Sequence, residues 1–159
     1  MDQRVVECVP NFSEGRDPAV IRRIVDAIRS VAGVSLLHVD PGADANRTVV
    51  TFTGEPDAAA DAAFRGIAEA AEAIDMRRHR GVHPRIGATD VCPFVPVAGA
   101  TLAECAALAR QVGARVGDEL EIPVYLYEAA ATRPERRNLA TIRQGEYEGL
   151  EEKLRDPRW

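Results

Sequence analysis

A chain of 159 residues and 17.2 kDa has the length of one domain, and a folded chain of this size buries roughly 70% of its unfolded surface. Hydrophobic residues make up 46% and charged residues 28%, which excludes a disordered chain, a collagen-like rod and a coiled coil. The formal net charge of −5 argues against a general nucleic-acid binder, because phosphate contacts require a basic surface. We therefore expect a single domain over residues 1–159.

Membrane and redox signals are weak in this sequence. No apolar run approaches the roughly 20 residues of a membrane-spanning helix, and residues 1–4 lead into a strand-like segment rather than a signal peptide. The three cysteines, Cys8, Cys92 and Cys105, lie in apolar stretches without C-x-x-C spacing, which favours reduced core thiols. We therefore expect a soluble cytoplasmic protein that does not contact membranes.

The N-terminal part of the chain predicts a strand, a helix and a hairpin. Residues 4–12 hold a short apolar run that ends in a loop, as a buried strand would. Asp17 is placed to cap a helix whose apolar spacing continues to Gly33. Two further apolar runs, 34–39 and 47–53, are separated by turn-forming residues and predict a β-hairpin.

An alanine-rich helix is predicted next, from Pro56 to near Met76. Its expected inward face consists of Ala59, Ala63, Ile67, Ala70, Ala71 and Ile74. Residues 77–89 lose this periodicity and contain several glycines and prolines, so they predict a loop. Residues 91–97 predict a fourth strand, and its two prolines suit an edge or bulged strand.

The spacing of Thr101 and Glu104 predicts a capping box at the start of a third helix. Its expected inward residues are Leu102, Cys105, Ala109, Val112 and Val116. A fifth strand over 123–127 and a short helix over 146–154 complete the prediction. The order β-α-β-β-α-β up to residue 97 predicts an α+β fold, a two-layer ferredoxin-like sandwich with an added helix and strand.

Two histidines in the loop over residues 77–89 suggest catalysis more than metal binding. His79 and His83 have the spacing of a zinc-binding helical pair, but Gly81 and Pro84 disfavour a helix and the accompanying glutamate is missing. A metal-dependent hydrolase would use both histidines as ligands, and we expect no metal.

His83 is a plausible general base. An imidazole exchanges protons near neutral pH, and the following proline holds it in extended backbone. Four arginines surround it and would attract an anionic substrate: Arg77, Arg78, Arg80 and Arg85. The alternative is a solvated loop whose histidines form only local hydrogen bonds, and the residues alone leave both interpretations open.

Two other loops, over residues 10–16 and 40–48, are expected to converge with this one. Asp40 has the chemistry to orient an imidazole, while Asn11 and Asn46 offer neutral donors for a polarised substrate. Loops carry function more often than cores do. The alternative interpretation is that these residues only form turns.

Several motifs, taken in order, resemble the glutamate formiminotransferase family. They are ECVPNFSEG at residues 7–15, NRTV at 46–49, the H-x-G-x-H-P-R pattern at 79–85, DVCPF at 90–94, PVYLY at 123–127 and the segment 142–147. The resemblance runs from residue 4 to about 154. It corresponds to the N-terminal subdomain of a transferase module that occurs alone or fused to a cyclodeaminase.

The resemblance implies transfer of a formimino group from N-formimino-L-glutamate to N5 of tetrahydrofolate, a co-substrate, during histidine breakdown. It places the catalytic histidine on His83 and a positioning aspartate on Asp40. The matching positions expected to bind substrate are Asn11, Asn46, Arg47, His79 and Arg85. The resemblance implies no metal. It also implies a chain with two ferredoxin-like subdomains, and two such chains form a homodimer.

The family continues beyond the position of Trp159 into a second subdomain that carries much of the folate contact. The resemblance therefore implies that full activity needs a C-terminal subdomain. A fragment of a longer protein, pairing with another chain, and a weakly binding free-standing unit all stay open. The alternative function is a non-catalytic folate-binding or interaction module that retains the fold.

Overall fold

The computed structural model describes residues 4–159; residues 1–3, on which the signal-peptide expectation partly rests, lie outside the described range. Within that range the chain forms six strands and five α-helices. The strands are β1 (Val5–Cys8), β2 (Asn11–Phe12), β3 (Ser35–Gly42), β4 (Arg47–Gly54), β5 (Thr89–Val91) and β6 (Phe94–Ala98). The helices are α1 (Pro18–Arg29), α2 (Pro56–Ala73), α3 (Leu102–Leu120), α4 (Leu139–Arg143) and α5 (Leu150–Arg155). This mixture of elements and its antiparallel sheet agree with the predicted α+β class.

The strands form one antiparallel sheet with β4 at its centre. β3 pairs with one edge of β4, which confirms the predicted hairpin. β1 and β2 pair in succession with the other edge of β4. The free edge of β1 then pairs with β6, and that of β2 pairs with β5.

Proline divides two of the predicted strands. The strand predicted over 4–12 is β1 and β2, separated at Pro10, and the strand predicted over 91–97 is β5 and β6, separated at Pro93. A proline has no backbone N–H for the hydrogen-bond ladder, so pairing stops there. β5 and β6 lie at the edge of the sheet, as their prolines predicted.

The first two helices begin where the sequence predicted and end early. The Asp17 carboxylate accepts hydrogen bonds from the first turn of α1, which ends at Arg29 rather than at Gly33. Helix α2 ends at Ala73, before Met76, because the next residue already has extended backbone angles. The capping box of α3 is present as predicted.

The core lies between one face of the sheet and helices α1 to α3. Alternate strand residues supply the sheet side, and their buried members include Val6, Cys8, Phe12, Val50 and Phe52. Two residues expected on inward helix faces are exposed instead. Ala71 follows Ala70, the last buried residue of α2, and Leu102 is 60% exposed because it precedes the first buried residue of α3, Cys105.

The C-terminal arm, residues 121–159, differs most from the prediction. The strand predicted over 123–127 is wrong: the segment is irregular, and its Val124 and Leu126 side chains pack beside Gly113 of α3. A short apolar run fits a helix surface as well as a sheet, so its pattern alone does not supply a strand partner. No helix within residues 4–159 has the length and apolar character needed to cross a bilayer.

The end of the arm is a helix that starts later than expected. The helix predicted over 146–154 begins at Leu150, because Gly145 and Glu146 adopt left-handed backbone angles (φ 86° and 51°) that close a turn first. Helix α4 and the two 3₁₀ turns, at Glu128–Ala130 and Pro134–Arg136, were not predicted.

Candidate functional site

The β3–β4 turn joins the three loops that the sequence suggested would converge. Asn46, at the end of this turn, is buried and has a left-handed φ of 49°. Its side-chain oxygen accepts a hydrogen bond from Gly15 N at 2.9 Å, and its side-chain nitrogen donates to Arg80 O at 3.0 Å. Val82 N also donates to Asp44 O. One amide side chain therefore fixes a loop on each side of the turn.

Two glycines allow this close approach. A Cβ at Gly15 would lie 2.3 Å from Gly42 O, and a Cβ at Gly81 would lie 2.1 Å from Ala45 O. Neither distance is possible for a real side chain. The loop that carries the histidines, residues 77–88 and here named the histidine loop, therefore packs with its backbone directly on the turn.

His79 is buried and fully hydrogen-bonded. Its Nε2 lies 2.8 Å from the carbonyl oxygen of Asn46, and its Nδ1 lies 3.0 Å from Nε of Arg85. Because a carbonyl only accepts and a guanidinium only donates, the hydrogen-bond network assigns the proton to Nε2 and the lone pair to Nδ1. Both ring nitrogens are thus engaged, and the ring supports the loop.

Arg85 connects the histidine loop to the C-terminal arm. The Arg85 side chain is 7% exposed and pairs with both carboxylate oxygens of Glu148, at 2.8 and 2.7 Å. This bidentate contact raises the pKa of Arg85 and lowers the pKa of Glu148 to about 2. The Arg85 backbone N–H also donates to Glu146. Most of the guanidinium donors of Arg85 are therefore satisfied within the protein.

His83 differs from His79 in both exposure and bonding. It is partly exposed, and its Nδ1 lies 2.6 Å from the carbonyl oxygen of Pro84. Because this oxygen only accepts, Nδ1 carries a proton, and in the neutral tautomer the lone pair then lies on Nε2. Nε2 forms no hydrogen bond with any residue from 4 to 159. Of the two loop histidines, only His83 has a ring nitrogen without a partner among residues 4–159.

A second cluster lies where β2, β4 and β5 meet the arm. Arg47 donates from Nε to the Asn11 side-chain oxygen at 3.0 Å and from Nη1 to Asp90 at 2.6 Å. Arg143, from α4, donates to the same Asp90 oxygen at 2.5 Å. The other Asp90 oxygen accepts from Ile86 N at 2.7 Å. One buried carboxylate thus holds two guanidinium groups.

No hydrogen bond joins Asp40 to His83 within residues 4–159. Asp40 is exposed on β3, opposite Val49 of β4, and Val49 in turn is opposite Asn11 of β2. Directly paired residues share one face of a sheet, so Asp40 and Asn11 lie in one row of the same face. Among the described residues the Asp40 carboxylate forms no hydrogen bond with either loop histidine.

Sequence reasoning missed three residues of these clusters: Asp90, Arg143 and Glu148. Asp90 and Arg143 lie in motifs that carry the family resemblance, DVCPF and the segment 142–147, but neither was assigned a role. Asp90 gave a further signal, a carboxylate in an otherwise apolar strand segment, since a buried acid requires partners. Nothing local distinguishes Glu148. No group of three or more histidine, cysteine, aspartate or glutamate side chains within residues 4–159 has the geometry to hold a metal ion.

A half-open cavity of about 860 Å³ adjoins the second cluster. Its walls come from the end of α2, from α3, from the β5–β6 region and from the arm, and they are largely apolar. Asp90 and Tyr127 both line it. Burial raises the pKa of Tyr127, so its hydroxyl stays protonated.

One family model and several known proteins match nearly the whole of this chain. The family model described as formiminotransferase domain, N-terminal subdomain, matches residues 5–159. The glutamate formimidoyltransferase of Thermoplasma acidophilum is 54% identical over 157 residues, covering 98% of this chain and 52% of the relative. The Streptococcus pyogenes glutamate formimidoyltransferase is 49% identical over 156 residues, with the same two coverages of 98% and 52%.

Fused proteins match over the same region. The formimidoyltransferase-cyclodeaminase of Dictyostelium discoideum is 53% identical over 156 residues, covering 98% of this chain and 29% of the relative. The chain therefore spans about half the length of the transferases that it matches and less than a third of this fusion.

Proposed function

Since this chain belongs to the formiminotransferase family, as a match to its N-terminal subdomain, we propose that it takes part in formimino transfer from N-formimino-L-glutamate to N5 of tetrahydrofolate. The Thermoplasma and Streptococcus relatives, about half of whose length this chain matches, are both named glutamate formimidoyltransferase, a name that denotes a transferase. Residues 1–159 form one domain in this proposal, and tetrahydrofolate acts as a co-substrate without a metal.

The observation that carries the proposal is the free Nε2 lone pair of His83. Its Nδ1 proton is held by the Pro84 carbonyl, so the nitrogen left for substrate is a proton acceptor. N5 of the pterin attacks the amidine carbon and forms a C–N bond, and Nε2 takes the proton that N5 sheds. The same imidazole returns a proton to the glutamate nitrogen as its bond to carbon breaks. One side chain thus serves both steps.

The other predicted residues act around this base. We propose that Asn46, His79 and Arg85 hold the histidine loop in place, since their hydrogen bonds are made within the protein. Arg47, kept in place by Asn11, is the group proposed to contact substrate. Asp40 lies exposed on the sheet, and we propose that it accepts a hydrogen bond from substrate rather than from His83.

The sheet order supports a ferredoxin-like arrangement for the part of the chain before α3. β1 and β2 can be counted as one interrupted strand, and β5 and β6 as another. The spatial order of strands is then β3, β4, β1–β2, β6–β5, and α1 and α2 lie in the two crossover connections. This is the order of a split β-α-β sandwich. We include that fold in the proposal.

The proposal also includes a second half and a location. Relatives extend well beyond the matched region, so we propose that a C-terminal subdomain completes the folate site and that the assembly is a homodimer. The cysteines Cys8, Cys92 and Cys105 are free thiols, which accords with the proposed cytoplasmic location. The family match supports the proposed role in histidine degradation and one-carbon metabolism.

His83→Ala tests the proposal in protein supplied with a C-terminal formiminotransferase subdomain. We expect turnover to fall at least about a hundredfold, the usual scale for losing a general base, with an unchanged melting temperature. His38→Ala is the matched control, because His38 is an exposed histidine on β3 away from the loop. Near-normal turnover of His83→Ala would remove the base from the proposal.

The non-catalytic alternative is tested by mixing. Calorimetry with tetrahydrofolate, on this chain alone and with the C-terminal subdomain added, measures binding, and a transfer assay on the same samples measures turnover. Turnover restored by mixing defeats the module interpretation. Folate binding without turnover in the mixture supports that interpretation and contradicts the transferase proposal.

A further inference from the structure

Two guanidinium groups share one carboxylate oxygen in this protein. Arg47 and Arg143, here named the arginine pair, each donate to the same oxygen of Asp90, at 2.6 and 2.5 Å. The Asp90 side chain is 0% exposed, and those of Arg47 and Arg143 are 9% and 18% exposed. The cluster therefore holds two positive charges against one negative charge in a mostly buried position.

The arginine pair has donors left over. Arg47 uses Nε and Nη1, and no hydrogen bond within residues 4–159 uses its Nη2. Arg143 uses only Nη2, and its Nε is buried without any partner in the described chain. A buried charged donor without an acceptor is costly, and two adjacent guanidiniums repel each other. A second anion at this place would relieve both costs.

A carboxylate fits the leftover donors better than a single-point acceptor does. The N–H groups of a guanidinium form a planar fork, and a carboxylate can pair both of its oxygens with that fork. A lysine ammonium at the same place would act as a point charge and would not select a two-oxygen acceptor in this way. The two forks come from different parts of the fold, one from β4 and one from α4 of the arm. Asp90 holds these two forks together and is itself closed to solvent.

We propose that the arginine pair binds a carboxylate of the glutamyl group of the formimino donor, with Asp90 as the residue that positions both guanidiniums. This inference rests on the proposed function. Folate ends in a glutamyl group with the same chemistry, but a small donor suits a cluster with so little exposed surface. Arg143 would then make the C-terminal arm part of the donor site.

Binding and kinetics of an Arg143→Gln variant test this inference in protein that includes the C-terminal subdomain. Calorimetry with N-formimino-L-glutamate, and separately with L-glutamate, should show both affinities lowered roughly 10- to 100-fold, the effect of losing a charged hydrogen-bonded contact. The KM for the donor should rise by a similar factor, while kcat and the KM for tetrahydrofolate change less than about threefold. Arg143→Lys should recover only part of the affinity.

Arg137→Gln is the matched control, since Arg137 is an exposed arginine on the same arm, and it should leave donor affinity unchanged. Asp90→Asn tests the positioning role and should raise the donor KM more than it lowers kcat. If that variant does not fold, the Arg143 variants still decide the outcome.

These measurements distinguish failure of the donor-site assignment from failure of the proposed function. Unchanged donor affinity in Arg143→Gln, or a loss of folate affinity alone, overturns the donor assignment while leaving His83 and the proposed function standing. An unaltered protein that binds neither donor nor L-glutamate overturns both the assignment and the proposed function. A turnover defect in His83→Ala together with normal donor affinity supports the division of roles between the two clusters.

Discussion

Arg85 and His79 form a buried pair in which the guanidinium Nε donates to the imidazole Nδ1 over 3.0 Å. The pairing leaves the ring proton on Nε2, which donates to the Asn46 carbonyl on the other side. His79 therefore links the start of the histidine loop to the β3–β4 turn, while His83 in the same loop keeps a free nitrogen. The two histidines of the loop therefore differ in their hydrogen-bond partners: His79 is bonded at both ring nitrogens and His83 at one.

His79→Phe should lower the free energy of unfolding by about 2–4 kcal/mol. It leaves the Arg85 Nε and the Asn46 carbonyl without their partner, and each buried polar group left unpaired costs roughly 1–3 kcal/mol. Urea denaturation followed by circular dichroism measures the change. His38→Phe, on the exposed surface of β3, is the control and should change stability by less than about 0.5 kcal/mol. Equal stability of both variants would mean that His79 does not hold the loop.

Gly81→Ala should destabilise the protein by more than about 2 kcal/mol and should also impair turnover. The new Cβ would lie 2.1 Å from Ala45 O, so the histidine loop must move away from the turn. Gly87→Ala, in the same loop, is the matched control because its Cβ would meet Thr89 O at an ordinary 3.6 Å. Unfolding curves that shift equally for the two variants would contradict the close packing described here.

The fold was predictable where the signal is local. Capping residues at Asp17 and Thr101 marked the starts of α1 and α3, and the turn residues between two apolar runs marked the hairpin. The strand predicted over 123–127 failed for the opposite reason. The Val124 and Leu126 side chains pack beside α3, with Val124 still 39% exposed, and strand pairing depends on a distant partner that a local pattern does not contain.

The contact between the β3–β4 turn and the histidine motif was predictable, because loops at one end of a sheet converge, and Asn46 makes that contact. Asn11 instead bonds Arg47 in the second cluster. The different partners of His79 and His83 depend on the Asn46 carbonyl and on Arg85, which spacing does not reveal. Arg143 was missed because its contact with Asp90 joins residues 53 positions apart.

Glu148→Gln should destabilise the protein at neutral pH and lose that effect in acid. The contact with Arg85 lowers the pKa of Glu148 to about 2, below the value of about 4.3 for an unfolded chain. A lowered folded pKa means that the stabilisation is complete above the unfolded value and is lost as the pH falls toward 2. Because the Glu148 side chain is 58% exposed, solvent screens the contact and the effect is modest.

Unfolding by urea at pH 7, 4 and 3 measures this window for the unaltered chain and for Glu148→Gln. The gap between the two should narrow from pH 7 to pH 3. Glu152→Gln, at an exposed position of α5, controls for the loss of one negative charge. A gap of constant size across the three pH values would show that the carboxylate contributes nothing through its ionised form.

Alkylation with iodoacetamide at pH 8 should modify Cys92 well before Cys8 or Cys105. Burial is the main cause that raises the pKa of Cys8 and of Cys105, and the thiolate is the form that reacts. Cys92 is partly exposed, so reagent reaches it, whereas Cys105 lines the same half-open cavity but is only 2% exposed. The Cys92 sulfur lies 3.6 Å from that of Cys8. Mass spectrometry of peptides from timed samples measures each rate. In the Cys92→Ser control, labelling of the folded protein should fall almost to zero, and labelling of the two remaining cysteines should return in urea. Rapid labelling of Cys8 in the folded chain would contradict the prediction and would mean that the β1 region opens to solvent.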